Sequence, residues 1–80
     1  MKPRVLIVED EAIPALEVRM RLERWGYEVV ATVAGGEAAI EAARAHVPDV
    51  VIMDVILADA VDGLKAADAI QDEHRTPIVF

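Results

Sequence analysis

The eighty residues contain no cysteine, which excludes a disulfide framework and any thiolate-ligated metal, and makes an intracellular setting the simpler expectation. Aromatic side chains are almost as scarce, with one Trp, one Tyr and one Phe. Because 55% of the residues are nevertheless hydrophobic, the core must be built from Val, Ile, Leu, Ala and Met, the palette of a parallel sheet covered by helices. Basic residues are outnumbered, eight Lys and Arg against fifteen Asp and Glu, for a net charge of -7. That balance repels phosphate backbones and anionic lipid surfaces, and argues against direct nucleic-acid or membrane binding. Long apolar runs are missing too. The one nearest the start, Val5 to Val8, is too short for a signal peptide or a membrane span and ends at Glu9 and Asp10. A cytoplasmic chain of a single, marginally stable domain is expected.

What is there alternates. Val5-Leu6-Ile7-Val8 is a continuous aliphatic run that suits a strand buried on both faces. From about Ala12 to Trp25 the periodicity is helical, closed by Gly26, with Pro14 tolerable only in the first turn. Ala15, Val18, Leu22 and Trp25 share one side of this helix and are assigned to the core; Ile13, Leu16 and Met20 lie nearly opposite and form a candidate docking surface for another protein. A helix rotated to half-bury both stripes stands as the alternative. Tyr27 to Val33 reads as a second strand, and about Glu37 to His46 as a helix with Ala39, Ile40 and Ala43 inward. Val50 to Met53 is a third strand, Asp62-Gly63 opens a helix carrying Leu64, Ala67 and Ile70, and Ile78-Val79-Phe80 is a last apolar run.

The order β-α-β-α-β-α-β, with short connections and no internal repeat, predicts an α/β fold: a doubly wound parallel sheet with right-handed crossovers and helices on both faces. Ligands of such sheets bind at the carboxyl ends of the strands. Here those ends carry acids, Glu9-Asp10 after the first strand and Asp54 after the third. If the two strands are neighbours, three carboxylates converge, and their mutual repulsion is relieved by a hard divalent cation such as Mg²⁺. Singly, each acid is explained as a helix cap or a solvated loop charge, the preferred reading for Glu11, Asp49, Asp59 and Asp62, and open to Asp10 as well. Capping does not explain why two apolar runs both end in carboxylates. No Gly-rich phosphate loop follows the first strand, which removes dinucleotide binding.

The stretch Val5 to Glu11 resembles the first strand and acidic pocket of response-regulator receiver domains, whose fold is flavodoxin-like with strand order 2-1-3-4-5. Val51-Ile52-Met53-Asp54 resembles the strand that presents their phosphoacceptor aspartate. Trp25 to Val30 is similar to the family's first helix-to-strand turn, and Asp62-Gly63-Leu64 to the start of its third helix. The resemblance runs through all eighty residues in the right order. It implies that Asp54 takes a phosphoryl group from a phosphohistidine on a sensor histidine kinase or a histidine phosphotransfer protein. It further implies that Asp10 and Asp54 bind Mg²⁺ directly, Glu9 through water, and the backbone carbonyl of Ile56 as a further ligand. The protein would be a signalling module and not an enzyme.

Two departures accompany it. Ala58 stands where many members carry proline, in a loop about one residue longer than the commonest form, and the chain ends at the fourth strand. Residues 1–80 are therefore expected to be an incomplete receiver of roughly 120 residues, lacking the fifth strand and its phosphate-binding Lys. An apolar edge left at that strand invites association, so a homodimer is a further expectation. Lys65 cannot replace the missing Lys, since it follows Leu64 on the third helix and should face solvent. His46 and His74 read as surface residues near helix ends. The alternative function is a phosphorylation-independent interaction module, and the retained acid triad argues against it. A Mg²⁺-dependent aspartyl phosphatase ranks last, because Ile56 occupies the place of its general acid.

Overall fold

A computed structural model describes residues 2–54 and 63–80. The elements are β1 (Arg4–Val8), α1 (Ala12–Arg24), β2 (Glu28–Val33), α2 (Gly36–His46), β3 (Val50–Met53), α3 (Gly63–His74) and β4 (Ile78–Val79). The four strands are parallel, as the alternation of strand and helix predicts, and their order β2-β1-β3-β4 is the one that the family resemblance implies. Strand β1 has neighbours on both sides, and Val5 to Val8 are buried completely or nearly so, which is why this run is aliphatic throughout.

Side chains alternate across the sheet. Leu6, Val8, Val51 and Met53 pack with Ala39, Ala43, Ala66 and Ile70 of α2 and α3 on one face. Val5, Ile7, Val50 and Ile52 meet Leu22 and Val18 of α1 on the other. Ala15 and Leu22 are the buried residues of α1. Pro14 falls in its first turn, and Gly26 closes its far end with φ 94°, a conformation open to glycine. Helix α2 instead stops at Val47, a non-glycine residue in the left-handed region at φ 44°. Arg44 of α2 makes a two-pronged ion pair with Glu73 of α3, at 2.8 and 2.6 Å, tying together the two helices of one face.

Two expectations need correction. Trp25, assigned to the core stripe of α1, is 67% exposed. The helix ends at Arg24, so Trp25 at ψ 3° leaves the stripe, and Tyr27 packs against the core in its stead. Leu64, assigned to the inner face of α3, is 59% exposed, while Ala66, Ala67 and Ile70 are buried. The inward stripe is Gly63, Ala66, Ala67 and Ile70, at spacings of three, one and three. The stripe that packs toward α2 pairs small residues with Ile70, and Leu64 falls outside it.

Candidate metal and phosphoacceptor site

The site is a product of strand register. Parallel pairing sets Val8 of β1 opposite Met53 of β3, so the residues that follow, Glu9 and Asp54, emerge side by side. Their amides are held to the neighbouring strands: Asp54 N–H donates to the Val8 carbonyl at 2.9 Å, and Glu9 N–H to the Val33 carbonyl, also at 2.9 Å. Asp10 is one residue further along. Glu11 then occupies the N-cap position of α1 but makes no side-chain capping hydrogen bond.

Glu9, Asp10 and Asp54 each bring a carboxylate oxygen to within 4.8 Å of the others. Three like charges this close oppose one another's ionisation. The Glu9 carboxyl is pushed up from 4.5 to about 7 by a hydrogen bond with the Asp54 carboxyl, then by burial, then by repulsion from Asp54, Asp10 and Glu11. Its Oε2 is buried with no hydrogen-bond partner among the described residues. An unpartnered buried oxygen beside two further carboxylates is a donor set of hard oxygens, which suits Mg²⁺ and not a soft metal.

Clefts of about 300 Å³ open on either side of Glu9. One, lined by Pro14, Val18, Ile52 and Met53, reaches Asp54. The other, lined by Leu16, Arg19, Thr32 and Val33, reaches Asp10.

Of the residues singled out in the sequence, Glu9, Asp10 and Asp54 come together, while Ile56 lies outside the described residues, as do Ala58, Asp59 and Asp62. Ile13, Leu16 and Met20 are 72%, 56% and 55% exposed, and they face away from the buried side of α1. Lys65 is exposed on α3. The His46 carbonyl accepts from the Arg4 guanidinium at 2.5 Å, and His74 Nε2 stands 3.4 Å from Glu73 Oε2; neither belongs to the acidic cluster. Asp49, taken for a cap or a solvated charge, accepts the Arg4 N–H at 2.8 Å. The available signal was positional: Asp49 precedes β3 as Arg4 begins β1.

Residues 5–80 match the response regulator receiver domain, and the chain belongs to that family, a family of signalling modules in two-component systems. The transcriptional regulatory protein PdtaR of Mycobacterium tuberculosis is 43% identical over 76 residues, covering 95% of this chain and 37% of the relative. The chemotaxis protein CheY of Bacillus subtilis is 37% identical over 71 residues, 89% of this chain and 58% of the relative. Among solved structures, the signal receiver domain of a modulated diguanylate cyclase from Desulfovibrio desulfuricans G20 superposes with a TM-score of 0.93 at 37% identity, over 98% of this chain and 62% of the other. The chain thus spans between 37% and 62% of the length of these three proteins. No helix among the described residues is long and apolar enough to cross a membrane.

Proposed function

We propose that this chain is a phosphoacceptor, receiving a phosphoryl group on Asp54 from a phosphohistidine of a sensor histidine kinase or histidine phosphotransfer protein in a Mg²⁺-dependent reaction in the cytoplasm. The observation that carries this reading is the convergence of Glu9, Asp10 and Asp54 within 4.8 Å, at the strand ends where such sheets take their ligands.

Asp54 is the nucleophile. A carboxylate oxygen of Asp54 forms a bond to phosphorus as the bond from phosphorus to the donor's imidazole nitrogen breaks; the electron pair of that bond stays on the imidazole, and the product is an acyl phosphate on Asp54. Its backbone hydrogen bond to Val8 fixes where the attacking oxygen stands, and positioning supplies much of what phosphoryl transfer requires. Glu9 and Asp10, with Asp54, would hold the Mg²⁺, and the resemblance adds the Ile56 carbonyl. Bound there, the cation would neutralise charge on the carboxylates and on the phosphoryl oxygens. Because its neighbours raise the Glu9 carboxyl, metal affinity would depend on pH, rising as that group ionises. Ile13, Leu16 and Met20 would receive the phosphodonor protein beside the site.

Incubation with acetyl phosphate or a phosphoramidate and Mg²⁺, followed by intact mass, tests the assignment. The expected adduct adds one phosphoryl group to the wild-type chain, is absent without Mg²⁺, and is absent from Asp54→Asn. Phosphorylation that survives this substitution discards Asp54 as the acceptor.

A further inference from the structure

The carboxylates meet only if β1 and β3 pair in one register. A slip of one residue is forbidden, because it would turn Val51 and Met53, which are buried with α2 and α3, toward the opposite face. A slip of two residues preserves the alternation, but β3 is four residues long, so it would draw Asp49 into the place of Val51 or Asp54 into that of Ile52. It would carry Asp54 about 6.6 Å along the strand at roughly 3.3 Å per residue, farther than the 4.8 Å that spans the cluster. A contact without a two-residue period would oppose it further, whichever side chain the slip buries.

The corner at the opposite end of the strands has that property. Asp49 N–H donates to the Arg4 carbonyl at 2.8 Å, and Arg4 N–H donates back to Asp49 Oδ2, also at 2.8 Å. The first bond is ordinary ladder pairing, available at any register. The second is available only where a short acceptor side chain stands one residue before β3. The Arg4 guanidinium closes the same corner by donating to the His46 carbonyl at 2.5 Å, and Pro48 between them is buried. We infer that Asp49 is a positioning residue for the acidic site: its carboxylate locks β3 against β1 at one end and thereby sets Asp54 beside Glu9 and Asp10 at the other. The inference rests on the reading of those three acids as a metal site only in its consequence for Mg²⁺, and not in its consequence for the strands.

Two substitutions separate a register lock from a solvated charge. Asp49→Asn keeps a side-chain oxygen at the same reach and loses the charge; Asp49→Glu keeps the charge and displaces the oxygen by a methylene. In the metal-free chain, amide hydrogen exchange of Asp54 N–H reports how firmly β3 is held to β1 beside the acids. Asp49→Asn should match the wild type, whereas Asp49→Glu and Asp49→Ala should lower Asp54 protection about tenfold while Ile70 in α3 keeps its own. Measured by Mg²⁺ titration followed by NMR, Asp49→Glu should weaken binding about tenfold and Asp49→Asn should restore it.

The inference is overturned if Asp49→Glu behaves as wild type, or if Asp54 and Ile70 lose protection together, which is a general loss of stability. Should Asp49→Ala fail to fold, the Asn and Glu variants decide alone. A wild-type chain that binds no Mg²⁺ refutes the metal site while leaving the exchange result to judge the lock.

Discussion

Replacing Glu9 by Gln should make the metal-free protein more stable at pH 8, although it removes a residue of the site. The carboxyl of Glu9 is raised from 4.5 to about 7 in the folded chain, so the folded state holds this proton more tightly than the unfolded chain does. The sign follows from linkage: the stability that the protonated group contributes is complete below pH 4.5, declines as the pH rises toward about 7, and is gone above it. An interval of that size corresponds to a few kcal/mol. Solvent reaches this partly buried carboxyl and screens it, and about 2 kcal/mol is the expected size. Glutamine mimics the protonated form at every pH. The difference between Glu9→Gln and wild type should therefore grow from near zero at pH 4 to about 2 kcal/mol in favour of the variant at pH 8. Against the roughly 4 to 12 kcal/mol expected for a chain of this length, that is easily measured. Urea unfolding followed by circular dichroism at 222 nm, in EDTA at a series of pH values, gives the comparison. With saturating Mg²⁺ the order should invert, since the wild type gains binding energy that Gln cannot provide in full. A variant no more stable than wild type at pH 8 in EDTA would refute the claim that the three carboxylates strain one another.

Other outcomes are expected from the same structure. Leu16→Ser with Met20→Ser should slow phosphotransfer from a partner kinase while small-molecule phosphorylation proceeds at the wild-type rate; equal loss in the two assays would mean a damaged fold. Ile70→Ala empties the centre of the cluster beneath α2 and α3 and should cost about 2 to 5 kcal/mol, seen as a lower urea midpoint. Val47→Asn places an exposed left-handed position in the hands of a residue that tolerates it, and should raise stability by about 0.5 to 1 kcal/mol in thermal melts.

Strands β1 and β3 were legible because each is an aliphatic run with a sharp boundary, and alternation with helices made the sheet parallel; the strand order came from the family resemblance. Glu9, Asp10 and Asp54 were legible for the same reason: each follows such a run directly, so strand ends locate them without knowledge of loops. Helix faces were read less well. Leu64 misled because periodicity weighs large side chains, whereas α3 packs on α2 through Ala66 and Ile70. Trp25 misled because the helix ends one residue earlier than the stripe does. Asp49 was invisible as a partner of Arg4, because a hydrogen bond between residues 45 positions apart exists only once β1 and β3 are paired.

Helix α1 presents two sides with separate duties. Ala15 and Leu22 seat it on the sheet, while Ile13, Leu16 and Met20 are outside. The acids themselves are rooted in strand ends held by main-chain hydrogen bonds to Val8 and Val33, not by α1. The outward residues can consequently be exchanged for others without moving a carboxylate. Under the proposed function, a scaffold built this way would acquire new conversation partners while its acidic cluster stays as it was.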